Sequence, residues 1–194
     1  MQLDALEAIR LGDTTQWIRV RGSDPSNPVL LLIQQGPGLP MINEVRRFEH
    51  LLALEQDFTV VYWDQRGCGR SLRSRTGQER ITLDLMVDDT VSLLERLRDR
   101  FGKTAHVAGF SIGATIGARA TACRPDLVAT LVAVSLDVDG VAAAKILSID
   151  RAPARTPNPA SERMVAMRKM ANFVLIFMIF SSFGFSFSLS CTSI

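Results

Sequence analysis

The chain has 194 residues, of which 22 are basic and 20 acidic, so its formal net charge is +2. This balance excludes the strong basic excess of a dedicated nucleic-acid-binding protein. A hydrophobic content of 47% excludes a disordered chain, because it supplies enough apolar surface for a core. The length is suited to one domain of ordinary size.

The cysteines and the N-terminus indicate a reducing compartment. Three cysteines without a CxxC spacing, accompanied by two histidines, do not suggest a disulfide framework or a structural zinc site. The first ten residues, MQLDALEAIR, lack the basic start and apolar run of a secretory signal. We therefore expect a cytoplasmic protein that uses no cofactor and no metal.

Hydrophobic periodicity predicts alternating strands and helices. Two short alternating runs, at 8–11 and 17–20, are joined by Gly12-Asp13 and predict a β-hairpin. The predicted elements after the hairpin are a strand at 29–33, a helix at 44–54, a strand at 58–63, a helix at 83–101, a strand at 105–110, a helix at 112–122 and a strand at 127–135. The continuous apolar runs are typical of strands buried on both faces. This order predicts an α/β protein with a mostly parallel sheet and flanking helices.

The segment 83–101 is the clearest predicted helix. Its apolar residues recur at intervals of three and four and form one stripe, which comprises Leu83, Val87, Val91, Leu94 and Leu97. The charged residues divide between the two halves, with Asp84, Asp88 and Asp89 first and Arg96, Arg98 and Arg100 last. That order complements the dipole of the helix.

Residues 109–113, Gly-Phe-Ser-Ile-Gly, match the pattern G-x-S-x-G where a predicted strand meets a predicted helix. A serine in so tight a turn has strained backbone angles, and the flanking glycines remove side chains that would collide with the turn. The first N–H groups of the helix then point toward the serine oxygen, and the helix N-terminus favours developing negative charge. The motif therefore predicts a nucleophile at Ser111 with the N–H of Ile112 beside it.

A second glycine turn follows the predicted strand at 29–33, in the sequence QQGPG at 34–38. A turn at this point brings a backbone N–H close to a bound acyl oxygen, and it can complete an oxyanion hole with the N–H of Ile112. Such a turn alone usually only ends a strand. Its functional interpretation depends on the serine motif.

Three motifs occur in order: QQGPG at 34–38, DQRGCGRS at 64–71 and GFSIGA at 109–114. They resemble the HGGPG, DQRGxGxS and GxSxGG of the α/β-hydrolase fold family, and within it of the proline iminopeptidase-like serine hydrolases. The resemblance covers about residues 5–139. It implies that Ser111 is the nucleophile and that the N–H groups of Gly36 and Ile112 hold the oxyanion.

The resemblance also implies that Asp64 and Arg66 organise loops beside the site. A salt-bridged structural turn and direct contact with substrate are both compatible with these residues. The wider run of arginines is interpreted as a solvated basic loop and comprises Arg66, Arg70, Arg73, Arg75 and Arg80. Gln34 replaces the first histidine of HGGPG, which keeps hydrogen-bonding capacity and adds bulk beside the glycine turn.

No residue of the sequence is suited to activate Ser111. In this fold the catalytic residues follow the order serine, acid, histidine, but no histidine follows Ser111. His106 lies earlier on the same predicted strand, and at about 3.3 Å per residue it is more than about 10 Å away. His50 is predicted to lie on a helix face. Asp137 and Asp139 are interpreted as loop residues.

We divide the chain into a hydrolase core at 1–139, the start of a helical cap at 140–171 and an uncharged hydrophobic tail at 172–194. The resemblance implies further strands, a late helix and most of the cap, so we expect an incomplete α/β-hydrolase fold, truncated at its C-terminus. Three interpretations of the tail are open. We favour a frameshifted or truncated ending. The two alternatives are a membrane-spanning segment and a buried substitute for the missing strands.

The sequence thus predicts a serine hydrolase resembling proline iminopeptidases, which cleaves an amide or ester of a small molecule or peptide through an acyl-enzyme. We expect its activity to be severely reduced, because a serine without a base is a weak nucleophile. One alternative is a non-catalytic hydrolase-fold remnant associated with a membrane through residues 172–194. Another is a site completed by an acid and a base from a second chain. No nucleic-acid partner is expected, and the oligomeric state is not determined by the sequence.

Overall fold

The structure, a computed structural model, describes residues 3–34, 39–74 and 81–134, without the side chains of residues 73 and 74. The strands are β1 (Leu3–Leu11), β2 (Thr14–Gly22), β3 (Val29–Ile33), β4 (Thr59–Asp64), β5 (Ala105–Phe110) and β6 (Val128–Val134). The helices are α1 (Val45–Leu52), α2 (Leu83–Phe101) and α3 (Ile112–Cys123). Short 3-10 turns lie at Ile42–Glu44, Leu54–Gln56, Gly69–Ser74 and Pro125–Leu127. All the strands and helices that the sequence predicts up to residue 134 are confirmed, and only the two strands of the hairpin are much longer than predicted.

The strands form one sheet in the order β1-β2-β4-β3-β5-β6. β1 pairs antiparallel with β2, and β2 pairs antiparallel with β4. The neighbouring strands β4, β3, β5 and β6 are parallel. The predicted α/β architecture with a mostly parallel sheet is therefore confirmed. All four parallel strands end at the same side of the sheet, which we call the carboxyl edge.

The middle of the sheet is covered on both faces. Every residue of β3 and β4 is buried. A strand covered on both faces needs a run of consecutive apolar residues, which VLLLI supplies in β3 and VVYW in β4. Neighbouring residues of β4 point to opposite faces: the ring of Tyr62 lies 6.3 Å from that of Phe48 in α1, whereas Trp63 belongs to the core packed against α2 and α3. The chain thus forms a helix–sheet–helix arrangement.

Helix α2 has the predicted bounds. It begins after Thr82, whose hydroxyl oxygen accepts the N–H of Leu85 at 3.2 Å, and it ends at Gly102, whose φ is +66°. The predicted stripe is buried at Val87, Leu94 and Leu97, and Leu83 and Val91 are partly buried beside it. One acidic residue, Asp89, lies on the buried side of the helix as well. Its partner belongs to the site described below.

Several predicted features lie outside the described residues. They are Gly36 with the rest of its turn, Asp137, Asp139, the cap at 140–171 and the tail at 172–194. Within the described ranges, no helix combines the length and the apolar character that crossing a bilayer requires. All of the described residues belong to one unit of the chain, residues 1–156.

Candidate active site

Ser111 lies in a sharp turn between the end of β5 and the start of α3. Its backbone angles are φ +51° and ψ −123°, a region that residues with a side chain rarely adopt. The turn is held by backbone hydrogen bonds: the Ser111 N–H donates to the carbonyl of Val134 in β6 at 2.9 Å, and the Ser111 carbonyl accepts the N–H groups of Ala114 and Thr115. We call residues 109–113 the serine turn.

The two glycines of the serine turn are required by close backbone approaches. A Cβ atom at Gly109 would overlap the carbonyl of Gly113, and a Cβ atom at Gly113 would overlap the backbone carbonyl of Gln34. Further along α3, a Cβ atom at Gly117 would lie 3.2 Å from the Cδ1 atom of Ile33. The small residues therefore allow α3 to start directly against the end of β3.

Helix α3 directs its N-terminus at the space beside Ser111. The Ser111 side chain makes no capping hydrogen bond to the helix, and the first N–H groups of a helix have no partner within it. Both Ser111 and Ile112 are half-buried. A partial positive charge therefore develops at this end of the helix, next to a hydroxyl that does not cap it. Such an arrangement can stabilise an anion.

Asp64 ends strand β4, which is separated from β5 by β3, and it organises the loops at the carboxyl edge. It is fully buried. One of its carboxylate oxygens accepts the N–H groups of Met41 at 2.7 Å and Ile42 at 2.9 Å, and the other accepts the N–H of Arg70 at 2.9 Å. Because three backbone donors occupy the carboxylate, Asp64 has a structural role, but backbone N–H groups hold it where the prediction named a salt bridge.

Arg66 is buried, with 4% of its surface exposed, so its inclusion in a solvated basic loop was wrong. Its guanidinium bonds both carboxylate oxygens of Asp89 at 2.9 Å and also contacts Asp13 at 2.8 Å. The hydrogen bonds that Arg66 donates to Asp89 and Asp13 raise the pKa of its guanidinium above the ordinary value. The salt-bridged turn is therefore the interpretation that the geometry supports.

Two residues of this ion-pair cluster were missed in the sequence. The Gln16 amide donates to Asp89 at 2.6 Å, and its carbonyl oxygen accepts the indole N–H of Trp63 at 3.0 Å. Gln16 occupies an inward-facing position of β2, and Asp89 lies three residues after Met86 on the buried side of α2. A polar residue at an apolar position of the repeat is the signal that could have identified both.

Cys68 occupies the turn after β4 and reaches the end of β3. Its thiol lies 3.2 Å from Oε1 of Gln34 and 3.2 Å from the carbonyl oxygen of Gln65, with the Leu39 carbonyl at 3.8 Å. Burial, together with the negative charge of Asp64, raises the pKa of Cys68 to about 12. The thiol is therefore a protonated donor and not a nucleophile.

Gln65 is the most unusual polar residue at the carboxyl edge. Its side chain is buried, and among the residues that the structure describes neither its amide nitrogen nor its amide oxygen has a hydrogen-bond partner. Such groups are uncommon, because an unpaired buried polar atom costs about 1–3 kcal/mol.

The two histidines lie away from the serine turn. His106 is paired in register with Leu30 near the start of β5, and its ring meets that of Phe58 edge-on at 5.9 Å between centroids. His50 is exposed in the last turn of α1, which leads toward the start of β4 at the opposite edge of the sheet. Within the part of the chain that the structure describes, no histidine is therefore placed beside Ser111.

Comparison with known proteins identifies the family. A sequence profile described as the alpha/beta hydrolase fold matches residues 28–155. A Bacillus subtilis protein named "Probable aminopeptidase YbaC" is 36% identical over 131 residues, which are 67% of this chain and 41% of that protein. The chain thus spans less than half the length of this relative.

Solved structures have the same fold. A proline iminopeptidase-related protein from Thermus thermophilus superposes with a TM-score of 0.53 and 22% identity, over 68% of this chain and 45% of that one. A hydrolase from Pseudomonas aeruginosa gives a TM-score of 0.56 and 24% identity, over 76% of this chain and 54% of that one. Together with the sheet order and the serine turn, these matches lead to one conclusion: the chain belongs to the α/β-hydrolase fold family.

Proposed function

We propose that the chain carries the nucleophile half of a serine hydrolase, with Ser111 as the nucleophile. The observation that supports this most directly is the strained backbone of Ser111, which is retained at a turn where Gly109 and Gly113 permit the closest backbone approaches. Strain of about 1–3 kcal/mol has to be stabilised by the surrounding structure, and it is concentrated at functional sites.

The proposed reaction is acyl transfer. The Ser111 oxygen attacks the carbonyl carbon of an amide or ester while its proton passes to a base. The N–H groups of Ile112 and Gly36 hold the oxyanion of the tetrahedral intermediate, aided by the α3 N-terminus. Collapse breaks the carbon–nitrogen or carbon–oxygen bond, the leaving group takes up the proton, and water then hydrolyses the acyl-enzyme.

We infer an aminopeptidase-like substrate, an N-terminal residue of a peptide or a related small amide or ester. The support is the similarity to the Bacillus subtilis protein named as a probable aminopeptidase and the DQRGCGRS sequence at 64–71, which resembles that of proline iminopeptidases. Cytoplasmic localisation remains part of this proposal.

Activity of the 194-residue chain itself should be severely reduced or absent. No histidine follows Ser111 in the sequence, and the two that precede it lie elsewhere in the fold. Loss of one member of a catalytic triad typically costs about 10⁴-fold or more in kcat. An oxyanion site that remains still supports slow reaction.

A fluorophosphonate probe tests the proposal, because it phosphonylates activated serines. We expect slow labelling of the parent chain at Ser111, located by peptide mass spectrometry, and none in Ser111→Ala. Hydrolysis of an N-terminal aminoacyl amide is measured in parallel. Labelling that is equal in the two proteins would exclude Ser111 as the nucleophile, and full turnover by the parent chain would disprove the impairment.

A second candidate is a non-catalytic remnant that associates with a membrane through residues 172–194. The observation that favours it is the absence of any charged residue after Lys169 in the sequence. Membrane fractionation distinguishes the two, since a protein recovered entirely in the supernatant does not have such an anchor.

If a second chain supplies the acid and base instead, fluorophosphonate labelling of Ser111 should rise when that chain is added.

A further inference from the structure

Cys68, Gln34 and Gly113 connect three segments at the carboxyl edge. The Cys68 thiol reaches the Gln34 side chain at 3.2 Å, and both residues are buried, with exposed fractions of 2% and 1%. On the other side of Gln34, its backbone carbonyl packs against Gly113, where an added Cβ atom would come within 3.1 Å of the carbonyl carbon. Gln34 therefore touches both the turn after β4 and the serine turn.

The thiol proton has one preferred acceptor. The Gln65 carbonyl already accepts the backbone N–H of Cys68 at 3.1 Å, and the Leu39 carbonyl lies further away, at 3.8 Å. The S–H therefore donates to Oε1 of Gln34, which lies at 3.2 Å and does not accept the Cys68 N–H. Because burial keeps the thiol protonated, this bond persists at neutral pH.

Gln34 has little freedom to relax around this bond. Its backbone is confined by the start of α3, since Gly113 has no side chain and the carbonyls of Ile33 and Gln34 fill the space where one would stand. A change in the conformation of Gln34 is therefore transmitted to the first turn of α3. That turn carries the Ser111 carbonyl and the N–H groups of Ala114 and Thr115 that bond it.

We propose that Cys68 is a positioning residue for the serine turn: its S–H donates to Oε1 of Gln34, and Gln34 in turn fixes the start of α3 through Gly113. The effect of Cys68 on catalysis rests on the proposed hydrolase function. The contacts that lead from Cys68 through Gln34 to Gly113 do not depend on it. Cys68 has no direct contact with substrate in this role. It acts on the orientation of Ser111 and of the Ile112 N–H.

Hydrogen exchange tests the positioning directly and needs no catalytic activity. Cys68→Ala removes the donor, Cys68→Ser keeps an O–H donor, and Gln34→Met removes the acceptor at nearly constant length. We expect Cys68→Ala and Gln34→Met each to raise amide exchange of Ala114 and Thr115 about threefold, on the scale of one modest hydrogen bond. Cys68→Ser should retain most of the protection.

The double variant Cys68→Ala with Gln34→Met distinguishes the loss of this one hydrogen bond from a general loss of stability. If the two residues act through one bond, exchange in the double variant matches that in either single variant. The proposal would be overturned if the increases in exchange rate of the two single variants multiplied in the double variant. It would also be overturned if exchange in the middle of α2 rose equally, because the variants would then only lower global stability. The exposed Cys123 provides the matched control, because Cys123→Ala should leave exchange at Ala114 unchanged.

Fluorophosphonate labelling adds the catalytic arm. At saturating probe, Cys68→Ala should lower the rate constant of labelling about threefold, which corresponds to the loss of one hydrogen bond. The probe concentration that gives half the maximal rate should change little. If the labelling of the parent chain persists in Ser111→Ala, the hydrolase proposal fails while the exchange result still decides the role of Cys68. An unchanged exchange rate in both single variants overturns the positioning role regardless of labelling.

Discussion

Arg66 and Asp89 form a two-point ion pair buried between the turn after β4 and helix α2. The Nε and Nη2 atoms of the arginine each lie 2.9 Å from a carboxylate oxygen. The bidentate geometry matches the planar guanidinium, and the amide of Gln16 supplies a further donor to the aspartate. Asp64, two residues before Arg66, holds the loop that follows the glycine turn. One short turn therefore anchors a helix on one face of the sheet and a loop on the other.

Replacing Asp89 by alanine should strongly destabilise the fold. The change leaves the Arg66 charge buried without its principal partner, which typically costs about 3–5 kcal/mol. Urea unfolding followed by circular dichroism measures the loss. Asp99→Ala, which removes an exposed partner of Arg98, should cost less than about 0.5 kcal/mol. Similar losses for the two variants would contradict a special role of the buried pair.

Gly113→Ala should destabilise the protein although alanine is the better helix former. Alanine gains about 1 kcal/mol in a helix interior, but its Cβ atom would overlap the carbonyl of Gln34, a backbone group that cannot move aside as a flexible side chain can. We expect a net loss of at least about 1 kcal/mol in the free energy of unfolding, as for other overpacked sites.

Gly117→Ala is the matched control for that substitution. Its Cβ atom would meet side-chain methyl groups of Ile33, Val107 and Leu131 at 3.2–3.4 Å, and these can shift. The free energy of unfolding should change by less than about 1 kcal/mol. A loss as large as that of Gly113→Ala would mean that backbone overlap is not the cause.

Ser111→Gly should be more stable than Ser111→Ala. Both remove the hydroxyl, but only glycine adopts a φ of +51° without strain. The expected difference in the free energy of unfolding is about 1 kcal/mol or more in favour of glycine, and neither variant should react with the fluorophosphonate. Equal thermal midpoints for the two variants would show that the serine turn is not strained.

Stability should fall at alkaline pH in part through Cys68. The pKa of this thiol is about 12 in the folded protein against an ordinary value of 9.0. The unfolded chain therefore loses the proton first, so the contribution is complete below about pH 9 and is lost as the pH rises toward about 12. Between pH 8 and 10.5, Cys68→Ser should lose about 1–2 kcal/mol less than the parent chain. Cys123→Ser should follow the parent, and equal losses in all three would contradict this origin.

The sequence predicted the elements well, because their signals are local. The buried run at 29–33 and the three- and four-residue repeat of α2 are visible without tertiary information. The position of Ser111 between β5 and α3 followed from two glycines at fixed spacing, and the structure places it there.

Contacts between distant segments were not predictable in the same way. The bond from Cys68 to Gln34 joins residues 34 positions apart, and that from Gln16 to Asp89 joins residues 73 positions apart. Both depend on the strand order, which places β4 between β2 and β3 although it follows both in the chain. The prediction that Arg66 is solvated was wrong for the same reason. The sequence shows it as one of several neighbouring arginines, and it is the fold that brings it opposite Asp89.

The hydrogen bond from Trp63 to Gln16 gives the protein an intrinsic optical reporter of its ion-pair cluster. The chain has only two tryptophans; Trp63 is buried beside the Arg66–Asp89 pair, and Trp17 is half-buried beneath the guanidinium of Arg70. Indole emission responds to the polarity and hydrogen bonding of its surroundings. In a Trp17→Phe protein the indole emission would therefore come from Trp63 alone, and a change in that emission would register disturbance of this cluster before the sheet unfolds.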